Sequence, residues 1–344
     1  LRQPQDFQSV AKRLECDMDE ERFREKLGKI AREGRDMRKS VGVLSVLACC
    51  AALAISAEGA PQSATPSVTK PVVPPETVIV TGPRPAKEER NKIVWDFVYA
   101  HAKLTPKIDQ LARWRWNMPV CPEVKNLPAA YAAFITKRIK NVAQAVGAPV
   151  KEPCKTDIQI IFTSNPQAFM DGVAKDNPKF LGFHFLHDTE KVATVTKDIQ
   201  AWYVTATSNE VATYVDDPYH SPPSGTAGSR LSHGQLSVFI NVLIVADATK
   251  VAGYPVGQVA DYLAMLSLSQ ADAPTSCLEL PSILDLMSPD CPASKKPDSL
   301  TAADKAYLQG LYAMDPEEIG SLQRSGIANF MKRESANYWI KSDI

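Results

Sequence analysis

Hydrophobic residues recur at helical and strand spacings over the last three quarters of the chain. In residues 256–270 the apolar side chains surround the helix axis instead of lining one face. A helix that is apolar all round is usually buried. We therefore expect this segment to lie in the middle of the fold.

Spacings of three and four residues predict further helices over residues 87–116, 127–146 and 166–175. Gly147, Ala148 and Pro149 form a sound terminator for the second of these. Thr301 precedes Asp304 by three residues, which is the spacing of a capping box and announces another helix. The tail, residues 319–344, is expected to pack as a last helix or a strand.

Three apolar runs have the length and composition of strands. They are residues 157–163, 199–207 and 236–246, and the third leads into the buried helix. Residues 218–234, rich in Pro, Ser and Gly, predict a long loop between the last two strands, and long loops inside compact domains are often functional. Helices and strands in this order predict an α+β fold.

The first 87 residues have a different character. Half of residues 1–36 are charged, and residues 37–57 combine a basic start, an apolar run and small residues, as a secretory signal peptide does. We expect translation to start at Met37, so that residues 1–36 are an upstream extension that is not translated. A type II membrane anchor and a lipoprotein signal at Cys49 are alternatives. Residues 58–87 hold seven of the 26 prolines and predict a linker.

Composition limits the partners of the remaining domain, residues 88–344. The chain is 44% hydrophobic, and its 39 basic residues balance its 39 acidic ones. A net charge of zero gives no sign of the excess positive charge with which proteins attract nucleic acid, and we exclude nucleic acid as a partner. We expect no stable membrane span after signal cleavage and a periplasmic or extracellular location. The partners themselves are unknown.

Four cysteines remain beyond the signal peptide. An even number in an exported chain favours disulfides. We favour pairing Cys121 with Cys154 and Cys277 with Cys291, because both bonds close modest loops. A structural zinc held by all four is an alternative, although the short CxxC spacing of such sites is absent.

The C-terminal segments resemble the matrixin-type metzincins, which are zinc-dependent proteases. The resemblance rests on a buried helix, then SILDLMSP with Met287, then LTAADKAYLQGLY with Leu300, Thr301 and Asp304. In that family the helix carries HExxHxxGxxH and a turn places a Met beneath the metal. The resemblance implies a zincin-like mixed sheet, a long N-terminal helix packed on it, a central buried helix and a C-terminal helix after the Met turn.

The zinc motif itself is missing. Counting back from the turn places Asp261, Tyr262 and Met265 in the HExxH positions and Ala271 at the third His. Catalytic zinc needs three protein ligands and a carboxylate base. Of these four residues only Asp261 offers a suitable group. We therefore predict no catalytic residue, no metal and no cofactor at this helix. This absence favours a pseudopeptidase, which keeps the fold of a protease without its activity, over an active enzyme.

Three functions stay open at this point. The first is an exported, zincin-like binding or envelope-associated module without catalytic zinc. The second is a metal-dependent hydrolase with ligands from His184, His187, His220 and His233. The third is an unrelated exported α/β protein, in which residues 256–270 would lie away from Met287 and off the sheet. The chain contains no GxSxG elbow and no phosphate-binding loop to anchor other chemistry.

Overall fold

The computed structural model describes residues 86–105, 108–182, 189–208 and 236–341. The α-helices in these ranges are α1 (Lys87–His101), α2 (Ala129–Val146), α3 (Pro166–Asp176), α4 (Thr189–Val192), α5 (Ala248–Val251), α6 (Val256–Leu268), α7 (Ala302–Ala313) and α8 (Gly320–Lys341). The strands are β1 (Pro122–Lys125), β2 (Ile158–Thr163), β3 (Ile199–Ser208) and β4 (Leu236–Asp247). The predicted extension, the signal peptide and nearly all of the linker lie outside the described residues.

The four strands form one mixed sheet in the order β1-β2-β4-β3. β1, β2 and β4 run parallel, and β3 lies antiparallel to β4 at the opposite edge from β1. Parallel neighbours need crossover connections, and α2 supplies one between β1 and β2. The prediction of an α+β fold with a mixed sheet is confirmed.

The main core lies between one face of the sheet and helices α2 and α6. α2 contacts β1 and α6, while α6 also contacts β4 and α7. The last ten of the 13 residues of α6 are buried, as its apolar sequence predicts. This helix is central in the described part of the fold.

A smaller core covers the other face of the sheet. There Ile161 of β2, Trp202 of β3 and Leu243 of β4 pack against α3. Both faces of the sheet are therefore covered, which explains why β2 and β4 read as nearly continuous apolar runs instead of alternating ones.

Helix α1 is shorter than predicted. It ends at His101, whereas the apolar spacing predicts a helix through residue 116, because Ala102 leaves the helical region at φ −86° and ψ 77°. A proline at position 106 could not continue a helix. From residue 108 to the start of β1 the chain is irregular, and Arg113 forms an isolated bridge with Val238 of β4.

Strand β1 was not predicted. It has only four residues, and two of them, Glu123 and Lys125, are charged, so its sequence shows no strand pattern. Residues 319–344, for which helix and strand were both open, contain α8. Within the described ranges, no helix is both long and apolar enough to cross a membrane.

Two disulfides tie segments to this framework. Cys121 pairs with Cys154, and Cys277 pairs with Cys291, which is the pairing that the loop lengths favoured. The first joins the residue before β1 to the segment before β2. The second closes the segment that contains the turn with Met287.

Removing either disulfide is expected to destabilise the domain. The sequence separations of 33 and 14 residues correspond to a loss of roughly 4 and roughly 3 kcal/mol respectively, because each bond restricts the unfolded chain. Chemical denaturation of the Cys121→Ser/Cys154→Ser and Cys277→Ser/Cys291→Ser double variants measures this. Unfolding free energies within about 0.5 kcal/mol of the parent would contradict the expectation.

Candidate functional site

The positions that the predicted resemblance assigns to the zinc motif lie in the interior. Asp261, Tyr262 and Met265 are on α6 with exposures of 2%, 0% and 0%, and Ala271 follows the helix at 4%. Met287 ends a 3-10 turn, Ile283–Met287, that packs on α6, and its side chain is partly buried against the main core. This region is a packed core and not an open cleft.

Asp261 is held by two partners. The Arg138 guanidinium on α2 donates from Nε to Asp261 Oδ1 at 2.5 Å and from Nη2 to Oδ2 at 3.0 Å. The backbone N–H of Leu300, just before α7, donates to the same Oδ2 at 2.7 Å. A bidentate arginine and a backbone donor compensate the charge of this buried carboxylate. Its oxygens are therefore engaged in holding three elements together.

The other three positions offer no substitute for a zinc ligand set. The Tyr262 hydroxyl is buried without a hydrogen-bond partner, and burial raises the pKa of this phenol well above its usual range. It is therefore a poor base at neutral pH. Met265 presents a thioether, a weak ligand for zinc, and Ala271 has no donor atom. These residues do not fit a catalytic zinc.

A buried carboxylate also fixes the turn against α7. Asp304 accepts hydrogen bonds from the Ser282 hydroxyl at 2.7 Å, from the Ile283 N–H at 2.8 Å and from the Thr301 N–H at 2.9 Å. The Thr301 hydroxyl accepts from the Asp304 N–H, which completes the predicted capping box. Burial raises the pKa of Asp304 although these hydrogen bonds oppose the shift.

His101 is buried at the end of α1. Its Nδ1 lies 2.8 Å from the Phe97 carbonyl oxygen, so this nitrogen carries the proton and donates, while Nε2 has no partner. Burial lowers the pKa of His101 to about 4, against weaker opposing effects of the Phe97 hydrogen bond and the Asp285 carboxylate. The side chain is therefore neutral at pH 7 and belongs to the core.

A cavity of about 200 Å³ opens beside β3 and the end of α6. Its charged residues are Lys103, Lys197 and Asp272, and both lysines contact the one carboxylate. Lys103 Nζ lies 2.5 Å from Asp272 Oδ2, and Lys197 contacts Oδ1. Burial would raise the pKa of Asp272, but the hydrogen bonds from the lysines outweigh it and hold the pKa below its usual value.

Uncharged groups complete the lining of this cavity. Gln270 and Ala271 lie along it, and the Gln270 Oε1 atom is buried without a partner. The Tyr203 hydroxyl, from β3, lies 3.0 Å from the Leu266 carbonyl and 3.3 Å from the Ala271 carbonyl. The position assigned to the third zinc ligand therefore borders a small polar cavity.

The sequence analysis did not identify the residues of this cavity. They come from three separate stretches of the chain, at Lys103, at Lys197 and at Gln270 to Asp272, and belong to no motif. Only the antiparallel placement of β3 beside β4 and the end of α6 brings them together. Arg138 lies in the helix predicted over residues 127–146, and no pattern in the sequence pairs it with Asp261, although a carboxylate on a buried helix indicates that a cationic partner is needed.

The four histidines proposed as alternative metal ligands, His184, His187, His220 and His233, lie outside the described residues. That hypothesis stays a prediction. Within residues 86–105, 108–182, 189–208 and 236–341, no group of three or more His, Cys, Asp or Glu side chains is placed to hold a metal ion.

Comparison of the chain with protein-family models, with curated proteins and with solved structures finds no match. Function is therefore inferred from the geometry of the residues around α6 and from their chemistry. Two features of that geometry matter most: the engaged carboxylate of Asp261 and the charged cavity around Asp272.

Breaking the ion pair between Arg138 and Asp261 is expected to be costly. The variant Arg138→Met leaves a buried carboxylate with a single backbone partner, and we expect a loss of about 3–5 kcal/mol in unfolding free energy. The double variant Arg138→Met/Asp261→Asn removes the charge and keeps an acceptor for Leu300, so it should recover part of that loss. Urea denaturation measures both.

The exposed pair between Lys92 and Asp96 on α1 is the matched control for that experiment. Its side chains are 76% and 55% exposed, so solvent screens the pair and Lys92→Met should change the unfolding free energy far less than Arg138→Met does. Equal effects of Arg138→Met and Lys92→Met would contradict a structural role for the buried pair.

Acid is expected to destabilise the domain through His101. The unfolded chain binds a proton at His101 near pH 6.5, whereas the folded chain does so only near pH 4. Between these values the unfolded state binds more protons, so stability is complete above pH 6.5 and falls toward pH 4, by about 3 kcal/mol. Asp157, whose pKa burial raises to about 7, shifts stability the opposite way over the same range. The His101 contribution is therefore measured by urea denaturation at pH 7.5 and 4.5 as the difference between the parent chain and a variant without this histidine.

The variant His101→Phe isolates the contribution of this group. Phenylalanine keeps an aromatic ring beside Phe97 and Tyr307 but cannot bind a proton. Its stability should therefore fall less between the two pH values than that of the parent chain. Identical pH dependence in both proteins would show that His101 does not titrate as described.

Proposed function

We propose that this chain is an exported protein with a zincin-like scaffold that has lost its catalytic zinc site and acts as a non-catalytic binding module. The observation that carries this proposal is the state of Asp261. It is the one residue on α6 with a carboxylate at a zinc-motif position, and both of its oxygens are engaged by Arg138 and Leu300. A metal at this helix would have to displace a buried ion pair.

The packing of α6 supports the zincin-like part of the proposal. α6 contacts β4, the turn that ends at Met287, and α7. If the chain were an unrelated α/β protein, we would expect this helix to lie away from the turn and off the sheet. The contacts therefore favour the scaffold that the resemblance implies.

The two disulfides support the exported location. Such bonds form and persist mainly in oxidising compartments. Both tie down segments beside the core, Cys121–Cys154 next to β1 and Cys277–Cys291 around the Met turn.

The metal content of the purified protein tests the proposal. Protein isolated from the exported fraction, without added chelator, should contain well under one zinc per chain by elemental mass spectrometry. It should also cleave no peptide in a chelator-sensitive manner. The reason is that Asp261, Tyr262, Met265 and Ala271 provide no set of three ligands.

A near-equimolar zinc content would contradict the proposal, and two variants would then locate the metal. Loss of zinc in His220→Ala/His233→Ala would favour the histidine-dependent hydrolase. Loss of zinc in Asp261→Asn, with the fold intact by circular dichroism, would place the ion at α6.

A further inference from the structure

We propose that Cys154 is a site of S-thiolation, where the thiolate of a small anionic thiol attacks the sulfur and opens the disulfide to Cys121. The observation that carries this inference is the position of Lys140 on α2, whose Nζ lies 4.0 Å from Cys154 Sγ. Reactive cysteines are typically found in partly exposed, electropositive surroundings. This reactivity is separate from binding at α6 and does not depend on a metal there.

The two sulfurs of this disulfide differ in accessibility. Cys121, just before β1, is 6% exposed and belongs to the core, whereas Cys154 is partly exposed in the segment between α2 and β2. The rate of thiol–disulfide exchange depends on which sulfur the attacking thiolate can reach. Attack is therefore directed to Cys154, and Cys121 is the sulfur that leaves.

Positive charge surrounds the accessible sulfur. Lys140 contacts it with a side chain that is only 20% exposed. Lys151 and Lys155 are exposed on either side of Cys154 in the chain. Glu152 binds the Lys140 ammonium, but the glutamate side chain is 64% exposed, so solvent screens its charge more effectively than that of the lysine. An anionic thiolate is therefore attracted to this sulfur.

The second disulfide has different surroundings. Exposed acidic residues stand within two positions of each of its cysteines, Glu279 after Cys277 and Asp290 before Cys291. Lys296, five residues after Cys291, donates to a backbone carbonyl oxygen instead of to a sulfur. Negative charge beside these cysteines opposes the approach of a thiolate. The two disulfides of the chain should therefore differ in reactivity toward the same anionic thiol.

The exchange balances with the small thiol as its one co-reactant. The incoming thiolate sulfur forms a bond to Cys154 Sγ while the bond between the two cysteines breaks, so the thiol is oxidised and Cys121 is reduced. Cys121 leaves as a thiolate and takes a proton from water. Asp157 accepts the Cys121 backbone N–H at 2.9 Å, and burial raises the pKa of this carboxyl to about 7. A carboxyl that is partly protonated near neutral pH repels the new thiolate less than a full carboxylate would.

Thiolation changes one edge of the sheet. β1 is the edge strand next to β2, and the disulfide links the residue before β1 to the segment before β2. Opening the bond removes this covalent link across the pair of strands. The disulfide Cys277–Cys291, which closes the segment with Met287, stays intact.

Reaction of the folded protein with two thiols of opposite charge tests the proposal. The probes are 2-mercaptoethanesulfonate, which is anionic, and cysteamine, which is cationic, compared at equal concentrations of thiolate. After quenching with iodoacetamide, peptide mass spectrometry should find the sulfonate adduct on Cys154 and the alkyl group on Cys121, with Cys277–Cys291 still closed. The anionic thiol should react about fivefold faster, the factor for one charge contact at about 4 Å in water. Added salt should reduce this preference.

Two variants separate the charge effect from a loosening of the segment. Lys140→Met should slow the reaction with the sulfonate about fivefold, whereas Glu152→Gln should accelerate it. Loss of the ion pair between these residues would, by itself, loosen the segment and accelerate the reaction in both variants. Lys92→Met, which removes an exposed lysine that also pairs with an aspartate, should leave the rate unchanged. Thermal melting followed by circular dichroism confirms that each variant folds.

Four results would overturn the proposal. They are an adduct on Cys121 in place of Cys154, equal rates for the anionic and the cationic thiol, a rate in Lys140→Met at or above that of the parent chain, and opening of both disulfides together. The last result would mean that thiols reach the sulfurs only through unfolding of the domain.

Discussion

The ion pair between Arg138 and Asp261 is the contact on which the arrangement around α6 depends. It joins α2 to α6, and through the Leu300 N–H it also joins α6 to the start of α7. Hydrophobic packing alone would allow these helices to slide along or rotate against one another, since apolar contacts are non-directional. A bidentate guanidinium fixes both distance and orientation. The register of the three helices is therefore set by a polar contact inside an apolar core.

Asp304 fixes the position of the turn through buried hydrogen bonds in a similar way. Its carboxylate caps the first turn of α7 and also binds Ser282 and Ile283 at the start of the turn that ends at Met287. The turn therefore cannot shift unless α7 shifts with it. Together the two aspartates connect α2, α6, α7 and the turn that ends at Met287. The scaffold is held by side-chain contacts that need no metal ion.

The sequence predicts most of the fold because the deciding signals are local. The apolar run of α6, the capping box at Thr301 and the glycine terminator after α2 each act within a few residues. The predictions fail where a local pattern is absent or misleading. β1 is too short and too polar to show a strand pattern, and the apolar spacing of α1 continues past His101, where the helix ends. Neither error changes the fold class.

The candidate site was less predictable for a different reason. The positions Asp261, Tyr262, Met265 and Ala271 come from counting along the motif of the predicted resemblance, which again uses only nearby residues. The charged residues of the cavity meet only in the folded chain, because 94 residues separate Lys103 from Lys197 and 75 separate Lys197 from Asp272. Only knowledge of which strand lies beside α6 could have predicted that they meet.

The end of α6 explains why charges gather there. A helix C-terminus carries a partial negative charge and unsatisfied carbonyl groups. The Tyr203 hydroxyl lies 3.0 Å from such a carbonyl at Leu266, and Lys197 binds the Ala273 carbonyl in the segment that follows the helix. Positive side chains are therefore stabilised at this end of the helix even before Asp272 is considered. The end of α6 therefore forms one wall of a cavity in which two lysines surround the carboxylate of Asp272.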